Sequence, residues 1–454
     1  MNIYIKTYGC QMNERDSESA AALLQEAGHT IVYTEEEADG IILNTCSVRE
    51  LAERKAIGKM GIMKRLLTDK PHMIFGIMGC MAQRCGEELL QKIPHLDFAV
   101  GTDNIHLLPE IFAELAGERR KILHIERHGA DTPGIDAHRL SEEDLEGEIT
   151  PKNSFQAFIS IARGCNRFCS YCIVPYVRGR ERCRDKESII KEAEKLASQG
   201  VVEIMLLGQN VAAYGFGDAP LPIPEDESPF GELLERLSAI EGLKRIRFTS
   251  PHPAFFNKAL IEKIAALPKV CKCIHLPLQS GSDPVLKAMN RPYTAEQYWN
   301  IVASLRALCP EINFSTDIIV GFPGETREDF EETRKMMRRV AYDNAYIFKY
   351  SPREGTVSAR RPDDVPQEEK EWRNQELLAE LEKGNAGKNT SLVGRSFEIL
   401  VEGPSKRNPN TWCGRTDTFK TVVFEPLPGV KPGDFITLKI VRATSMTLYG
   451  APLS

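Results

Sequence analysis

The chain has no apolar run long enough to cross a bilayer, and its start, Met1-Asn-Ile-Tyr-Ile-Lys-Thr-Tyr8, lacks the pattern of a secretory leader. A cytoplasmic protein with no membrane partner is the expectation. Nor does one sign of charge dominate: 58 Lys and Arg stand against 64 Asp and Glu, and a net charge of −6 over 454 residues says nothing by itself about nucleic acid. A disulfide framework is excluded on similar grounds, because 12 cysteines in a reducing compartment point to metal ligation or buried thiols. The length gives room for two or three domains, with ample apolar content for a core.

Three of the cysteines, Cys165, Cys169 and Cys172, sit in the run Arg163-Gly-Cys-Asn-Arg-Phe-Cys-Ser-Tyr-Cys172, a Cys-x3-Cys-x2-Cys spacing. Three thiolates from one loop can hold three irons of a cubane cluster and leave the fourth iron open, which suggests catalysis. A zinc knuckle is the alternative. Structural zinc sites are normally closed by four ligands, however, and no fourth Cys or His lies near in sequence. The spacing resembles the radical S-adenosylmethionine (SAM) superfamily, in which SAM chelates the open iron and an electron from the cluster cleaves it to a deoxyadenosyl radical. The resemblance places Tyr171 beside the adenine of SAM.

Hydrophobic patterning divides the rest of the chain. From Ile3 to about Gly117, strands are expected at Asn2 to Thr7, Gly40 to Asn44 and His72 to Met78, with helices at Ser17 to Glu26 and Ser47 to Lys64, a small parallel-sheet α/β domain. The acidic run Leu140-Ser-Glu-Glu-Asp-Leu-Glu-Gly-Glu148 reads as a solvated linker. Six further strands alternate with helices: Ala157 to Ile161, Val202 to Leu207, Arg245 to Thr249, Cys273 to Leu278, Asn313 to Val320 and Asn344 to Phe348. That alternation predicts a partial (βα)6 barrel whose site gathers at the C-terminal ends of the strands. A charged helical stretch from Gln367 to Lys383 leads to short β runs at Ser396 to Val401, Thr421 to Phe424 and Phe435 to Val441, a small antiparallel barrel. From Asn389 onward it carries eight Lys/Arg against five Asp/Glu, which suits either an RNA-facing module or an ordinary soluble barrel. The expected boundaries are 1–118, a linker over 119–153, 154–382 and 383–454.

Cys10, Cys46 and Cys80 are far apart in sequence, but each follows an expected strand. Parallel strands deliver their C-terminal ends to one edge, so the three could form a second cluster site or simply be buried core cysteines. Taken together, Thr7-Tyr-Gly-Cys-Gln-Met-Asn13, Asn44-Thr-Cys-Ser-Val-Arg49, Gly79-Cys-Met-Ala-Gln83, the Cys165–Cys172 loop, Gly208-Gln-Asn-Val-Ala-Ala-Tyr-Gly215 and Leu276-Pro-Leu-Gln-Ser-Gly281 resemble the radical SAM methylthiotransferase family over essentially the whole chain, with a TRAM-like barrel at the C-terminus. Gln11-Met12-Asn13 resembles the branch acting on dimethylallylated adenosine in tRNA. The ribosomal-protein branch typically shows Pro-Lys-Asn there, and the threonylcarbamoyladenosine branch Lys-Val-Asn or a relative of it.

The resemblance implies two 4Fe–4S clusters: an auxiliary one on Cys10, Cys46 and Cys80, and the radical-generating one on Cys165, Cys169 and Cys172. It implies two SAM per turnover, one methylating a sulfur at the auxiliary cluster and one giving the radical that removes hydrogen from carbon 2 of the adenine beside the anticodon. The implied partners are the tRNA anticodon stem-loop, an electron donor such as flavodoxin or ferredoxin, and an iron–sulfur carrier; a monomer is expected. Tyr171, Gln209, Asn210, Ser280, Arg291 and Tyr350 are the candidates around SAM and substrate, with turn capping as the competing role for those at strand ends. Arg178, Arg180, Arg182 and Arg184 form a basic run suited either to RNA phosphate or to salt bridges, and Asp317 is read as orienting a neighbouring loop. The remaining cysteines, Cys85, Cys183, Cys271, Cys273, Cys309 and Cys413, read as structural thiols. Competing functions are methylthiolation of threonylcarbamoyladenosine tRNA or of a ribosomal-protein aspartate, and a noncatalytic iron–sulfur RNA-binding protein.

Overall fold

The computed structural model describes residues 1–47, 50–127 and 154–453. The acidic run from Leu140, and the expected linker beyond residue 127, lie outside the described residues. Six parallel strands, β1 (Asn2–Tyr8), β2 (Thr30–Val32), β3 (Gly40–Thr45), β4 (Ile74–Gly79), β5 (Phe98–Val100) and β6 (Ile122–His124), form one sheet in the order β2-β1-β3-β4-β5-β6. β3 and β4 are buried at every residue, which is why they read as continuous apolar runs. Helices α1 (Gln11–Glu26) and α4 (Leu108–Gly117) cover one face, α2 (Glu50–Met63) and α3 (Cys80–Lys92) the other.

Two differences from the sequence expectation matter. Helix α1 begins at Gln11, not Ser17, because Asn13, Arg15 and Asp16 are buried among polar partners and give the first turns no apolar stripe to read. Three-residue strands such as β2, β5 and β6 are too short to show a period.

The middle of the chain adds β7 (Gln156–Ser160), the short ribbon β8 (Ala162–Arg163) with β9 (Arg182–Cys183), and then β10 (Glu203–Leu207), β11 (Arg245–Phe248), β12 (Cys273–His275), β13 (Asn313–Val320) and β14 (Asn344–Lys349). β7-β10-β11 and β12-β13-β14 are parallel sheets. They are joined where the Cys271 amide donates to the Ile246 carbonyl at 2.9 Å, so the six strands follow one curved order. Among the described residues β7 and β14 remain its free edges, the partial barrel the alternation predicts.

The last five strands, β15 (Ser396–Pro404), β16 (Trp412–Arg415), β17 (Thr421–Phe424), β18 (Phe435–Ala443) and β19 (Leu448–Pro452), close into a barrel in the order β15-β16-β17-β19-β18. A ring of five cannot alternate direction all the way round, and the single parallel pair is β17 with β19. This barrel seats the segment Arg415–Lys420 against the N-terminal ends of the larger barrel's strands. Arg245 donates to the Arg415 carbonyl at 2.8 Å, Arg247 to the carbonyls of Thr416 and Asp417 at 2.8 Å each, and Asn313 to that of Thr418 at 2.9 Å. The C-terminal barrel therefore occupies the end of the central barrel opposite the cysteine loop.

Candidate active site

The register of the first sheet decides where its cysteines go. Tyr8 lies opposite Thr45 and Thr45 opposite Gly79, so Cys10, Cys46 and Cys80 leave three adjacent strands at one edge. Close approach is built into the turns. A Cβ on Gly9 would sit 2.6 Å from Cys46 Cβ, and one on Gly79, whose φ is +92°, would sit 2.4 Å from Asn44 Oδ1. Cys10 is the N-cap of α1 and Cys80 the first residue of α3, which brings two helix N-termini to the thiols. A hydrogen bond with Cys46, aided by the charge of Arg178, lowers the Cys10 thiol to about 6 against the cost of burial. At Cys80 burial wins and pushes the thiol up, with Arg178 opposing.

Two fully buried asparagines hold this edge together. Asn13 Nδ2 donates to Asn44 Oδ1 at 2.9 Å, Asn44 Nδ2 donates to the Asn13 carbonyl at 2.7 Å and to Ser17 Oγ at 2.9 Å, and Cys10 Sγ donates to Asn13 Oδ1 at 3.3 Å. The quoted motifs contained both asparagines, but a span of 31 residues between them hid their pairing.

The second trio lies on the loop after β7 and β8. Gly164, with φ +78°, leaves no room for a side chain, since a Cβ would be 2.0 Å from the Arg180 carbonyl oxygen. Gln209 Oε1 accepts from the Gly164 amide at 2.5 Å, the Ser170 amide donates to the Met289 carbonyl at 2.9 Å, and Asn290 Nδ2 donates to the Phe168 carbonyl at 3.0 Å. Later barrel loops thus fix the cysteine loop from outside. Arg291, buried, donates toward Cys169 Sγ at 3.6 Å and to the Pro277 carbonyl at 2.9 Å. Burial pushes Cys165 up to about 11 and raises Cys172 as well.

The donor chemistry fits clusters better than a lone ion. Among the described residues no three Cys, His, Asp or Glu side chains close around a single metal ion. A cubane does not ask for that, because each thiolate meets its own iron. Near the strand ends, Asn210 accepts from the His252 amide at 2.9 Å, while Asn210 Nδ2 and His252 Nε2 are buried without partners. Burial, with Arg291 and Arg167 nearby, holds His252 well below the usual imidazole range and so neutral. Unpartnered buried polar atoms at the barrel mouth are what a polar cofactor such as SAM would complete.

The other sequence candidates divide. Tyr171 packs against Val285, Met289, Phe322 and Tyr350. Ser280, fully buried, meets Thr333 Oγ1 at 3.2 Å and accepts from the Ser282 amide at 3.2 Å, and Tyr350 bonds Ser358 Oγ at 3.0 Å. The side chain of Asp317 meets His275 Nε2 at 3.3 Å, while its carbonyl takes the Gln279 amide at 2.8 Å. In the basic run, salt bridging prevails over a row of free cations: Arg178 pairs with Asp16 at 2.8 Å, Arg182 with Asp103 at 2.8 Å and Arg184 with Glu192 at 2.5 Å. Arg180, 72% exposed, lies 3.7 Å from Asp218.

The N-terminal sheet docks its cysteine edge on the segment 173–178, which directly follows Cys172. Thr102 Oγ1 donates to the Val177 carbonyl at 2.9 Å, and Cys80 packs with Ile173 and Val177. Three family models match along the chain: Uncharacterized protein family UPF0004 over residues 2–101, Radical SAM superfamily over 159–337 and TRAM domain over 390–453. A tRNA-2-methylthio-N(6)-dimethylallyladenosine synthase of Opitutus terrae is 45% identical over 467 residues, covering 99% of this chain and 96% of that protein. Its namesake from Moorella thermoacetica is 45% identical over 98% of this chain and 97% of its own. The chain belongs to the tRNA-2-methylthio-N(6)-dimethylallyladenosine synthase family. Its radical SAM membership brings a 4Fe–4S cluster and SAM with it. Among solved structures, the radical SAM methyltransferase TsrM from Kitasatospora setae superposes with a TM-score of 0.58 at 13% identity, over 79% of this chain and 74% of that one, a likeness of fold. No helix among the described residues is long and apolar enough to cross a membrane.

Proposed function

We infer that this protein is a radical SAM tRNA methylthiotransferase that converts N(6)-(dimethylallyl)adenosine beside the anticodon to its 2-methylthio derivative. The observation that carries the reading is the packing of the Cys80 edge on the segment that directly follows Cys172, in a chain 45% identical to synthases of that name over nearly its whole length. In this reading Cys165, Cys169 and Cys172 hold the radical-generating cluster, and Cys10, Cys46 and Cys80 hold an auxiliary one. When bound, the clusters and two SAM per turnover supply the methyl group, the sulfur and a radical able to take hydrogen from an aromatic carbon, which no ordinary general base can do.

The chain's own residues bind, orient and exclude water. Asn210, Arg291 and Tyr171 line the SAM side, with Gln209 fixing the loop through Gly164, while Ser280 and Tyr350 shape the turns behind them. Phe168, 38% exposed between Cys165 and Cys169, offers a face on which an anticodon-loop base can stack. We place the protein in the cytoplasm as a monomer served by a flavodoxin- or ferredoxin-type donor and an iron–sulfur carrier. The proposed units are 1–118, 154–382 and 383–454 with a linker over 119–153; β6 lies just past the first division and the helix Gln367–Thr390 spans the last. Mass spectrometry of tRNA nucleosides from cells lacking the protein tests the function: the 2-methylthio nucleoside should vanish and its dimethylallyl precursor accumulate. An unchanged nucleoside profile contradicts it.

A further inference from the structure

Two arginines converge on one buried carboxylate beside Cys80. Arg163 and Arg178 both turn to Asp16, at 3.4 and 2.8 Å, and Arg182 pairs with Asp103 at 2.8 Å. Among the described residues Asp16 thus answers two arginines, Arg163 and Arg178. The neighbouring Arg15 and Arg184 have partners of their own in Glu18 and Glu192. Arg178 and Asp16 are both buried, and a cation in excess there is costly unless another anion meets it. The guanidinium shows where that anion belongs: Nη2 binds Asp16, and Nε donates to Cys80 Sγ at 3.2 Å.

We propose that Arg178 is a positioning residue of the auxiliary site, donating to the Cys80 thiolate and supplying the positive charge that sets the reduction potential of the cluster held there. The proposal rests on the reading of Cys10, Cys46 and Cys80 as cluster ligands. Arg178 ends the helix Val174–Arg178, which starts two residues after Cys172, so the loop that carries the radical cluster's ligands also delivers the counter-charge to the other trio. A planar fork fixed at two points cannot be replaced by a point charge on a shorter reach. Hydrogen bonds to cluster sulfur and nearby charge are recognised determinants of potential. Removing a cation makes the cluster harder to reduce, and removing an anion makes it easier.

The experiment uses the full chain carrying Cys165→Ala, Cys169→Ala and Cys172→Ala, reconstituted anaerobically, so that about four irons report the auxiliary site alone. Arg178→Gln, Arg178→Lys and Asp16→Asn are each added, and iron content, thermal unfolding and midpoint potential by spectroscopically monitored titration are measured. Arg178→Gln should lower the potential and Asp16→Asn should raise it, although both lose the same ion pair and both should destabilise the fold. A purely structural role gives no opposition of sign, so shifts in the same direction, or none, overturn the proposal. Should Arg178→Gln fail to fold, Arg178→Lys and Asp16→Asn decide: the lysine, which keeps the charge but loses the two-point fork, should keep the iron and lower the potential while Asp16→Asn raises it, and shifts in the same direction, or none, overturn the proposal. Failure of the background protein with Arg178 intact to hold about four irons overturns the ligand reading itself, and the proposal with it.

Discussion

At the scale of single residues, the radical loop and the auxiliary edge differ in how much of them a sequence can show. Cys165, Cys169 and Cys172 are local, so their spacing alone indicates an open-iron site. Cys169→Ala should remove about half of the iron taken up on reconstitution and abolish SAM cleavage. Cleavage at the wild-type rate would contradict the assignment. Cys46→Ala should keep some cleavage and yield no methylthio product; normal product would exclude it as a ligand. The supports of the auxiliary edge are another matter. Asn13 and Asn44 meet across 31 residues and Arg178 and Asp16 across 162, and buried polar pairs leave no hydrophobic period to read. Gly79 is legible only in retrospect: its φ of +92° and ψ of −158° suit glycine alone, and Asn44 fills the space beside it. Gly79→Ala should cost about 1–3 kcal/mol and lose the auxiliary iron first, measured by thermal unfolding and iron analysis. Wild-type stability and iron would show that the edge relaxes. In the metal-free chain, the thiolate fraction rises as pH passes each pKa, so Cys10 at about 6 should alkylate at neutral pH while Cys165 at about 11 waits for alkali. Equal rates by mass spectrometry would contradict that ordering.

At the scale of elements, the long buried strands are legible, as are β11, β12 and β17 of three or four residues, whereas β2, β5 and β6 are not. β3, β4 and β13 stand out because parallel strands are apolar or strongly alternating, and the β16 and β19 strands of the last barrel were missed because Gly, Pro and Cys interrupt them. The position of that barrel also changes how its role is tested. Removing residues from Asn389 onward would strip Arg245, Arg247 and Asn313 of their partners and unsettle the central barrel, so lost RNA affinity would have two causes. Substituting exposed cations avoids this. Lys406 and Arg407 lie on an exposed loop away from those bonds, and changing both to Ala should weaken tRNA binding and reduce the salt slope by about 2. An unchanged affinity and slope would make the barrel's basic balance incidental and its contribution the seating of Arg415–Lys420 against the strand ends alone.

For the whole molecule, the arrangement that matters is the Cys10, Cys46 and Cys80 edge packed through Cys80 on the segment that follows the Cys165–Cys172 loop, with the basic barrel at the far end of the strands. The proposed function asks for SAM, the adenine edge and sulfur to be held in near-contact away from water, and this arrangement suits that demand. A dimethylallyl tail gives the substrate apolar surface worth about 0.8 kcal/mol per fully buried methylene, so a pocket shaped for it should discriminate strongly against plain adenine. The most direct measurement supplies the reconstituted protein with otherwise identical anticodon stem-loops carrying plain, dimethylallylated or threonylcarbamoylated adenosine and quantifies the methylthio nucleoside formed. The account predicts product from the dimethylallylated loop and little from the other two; preference for the threonylcarbamoylated loop, or product only on a ribosomal protein, would contradict it.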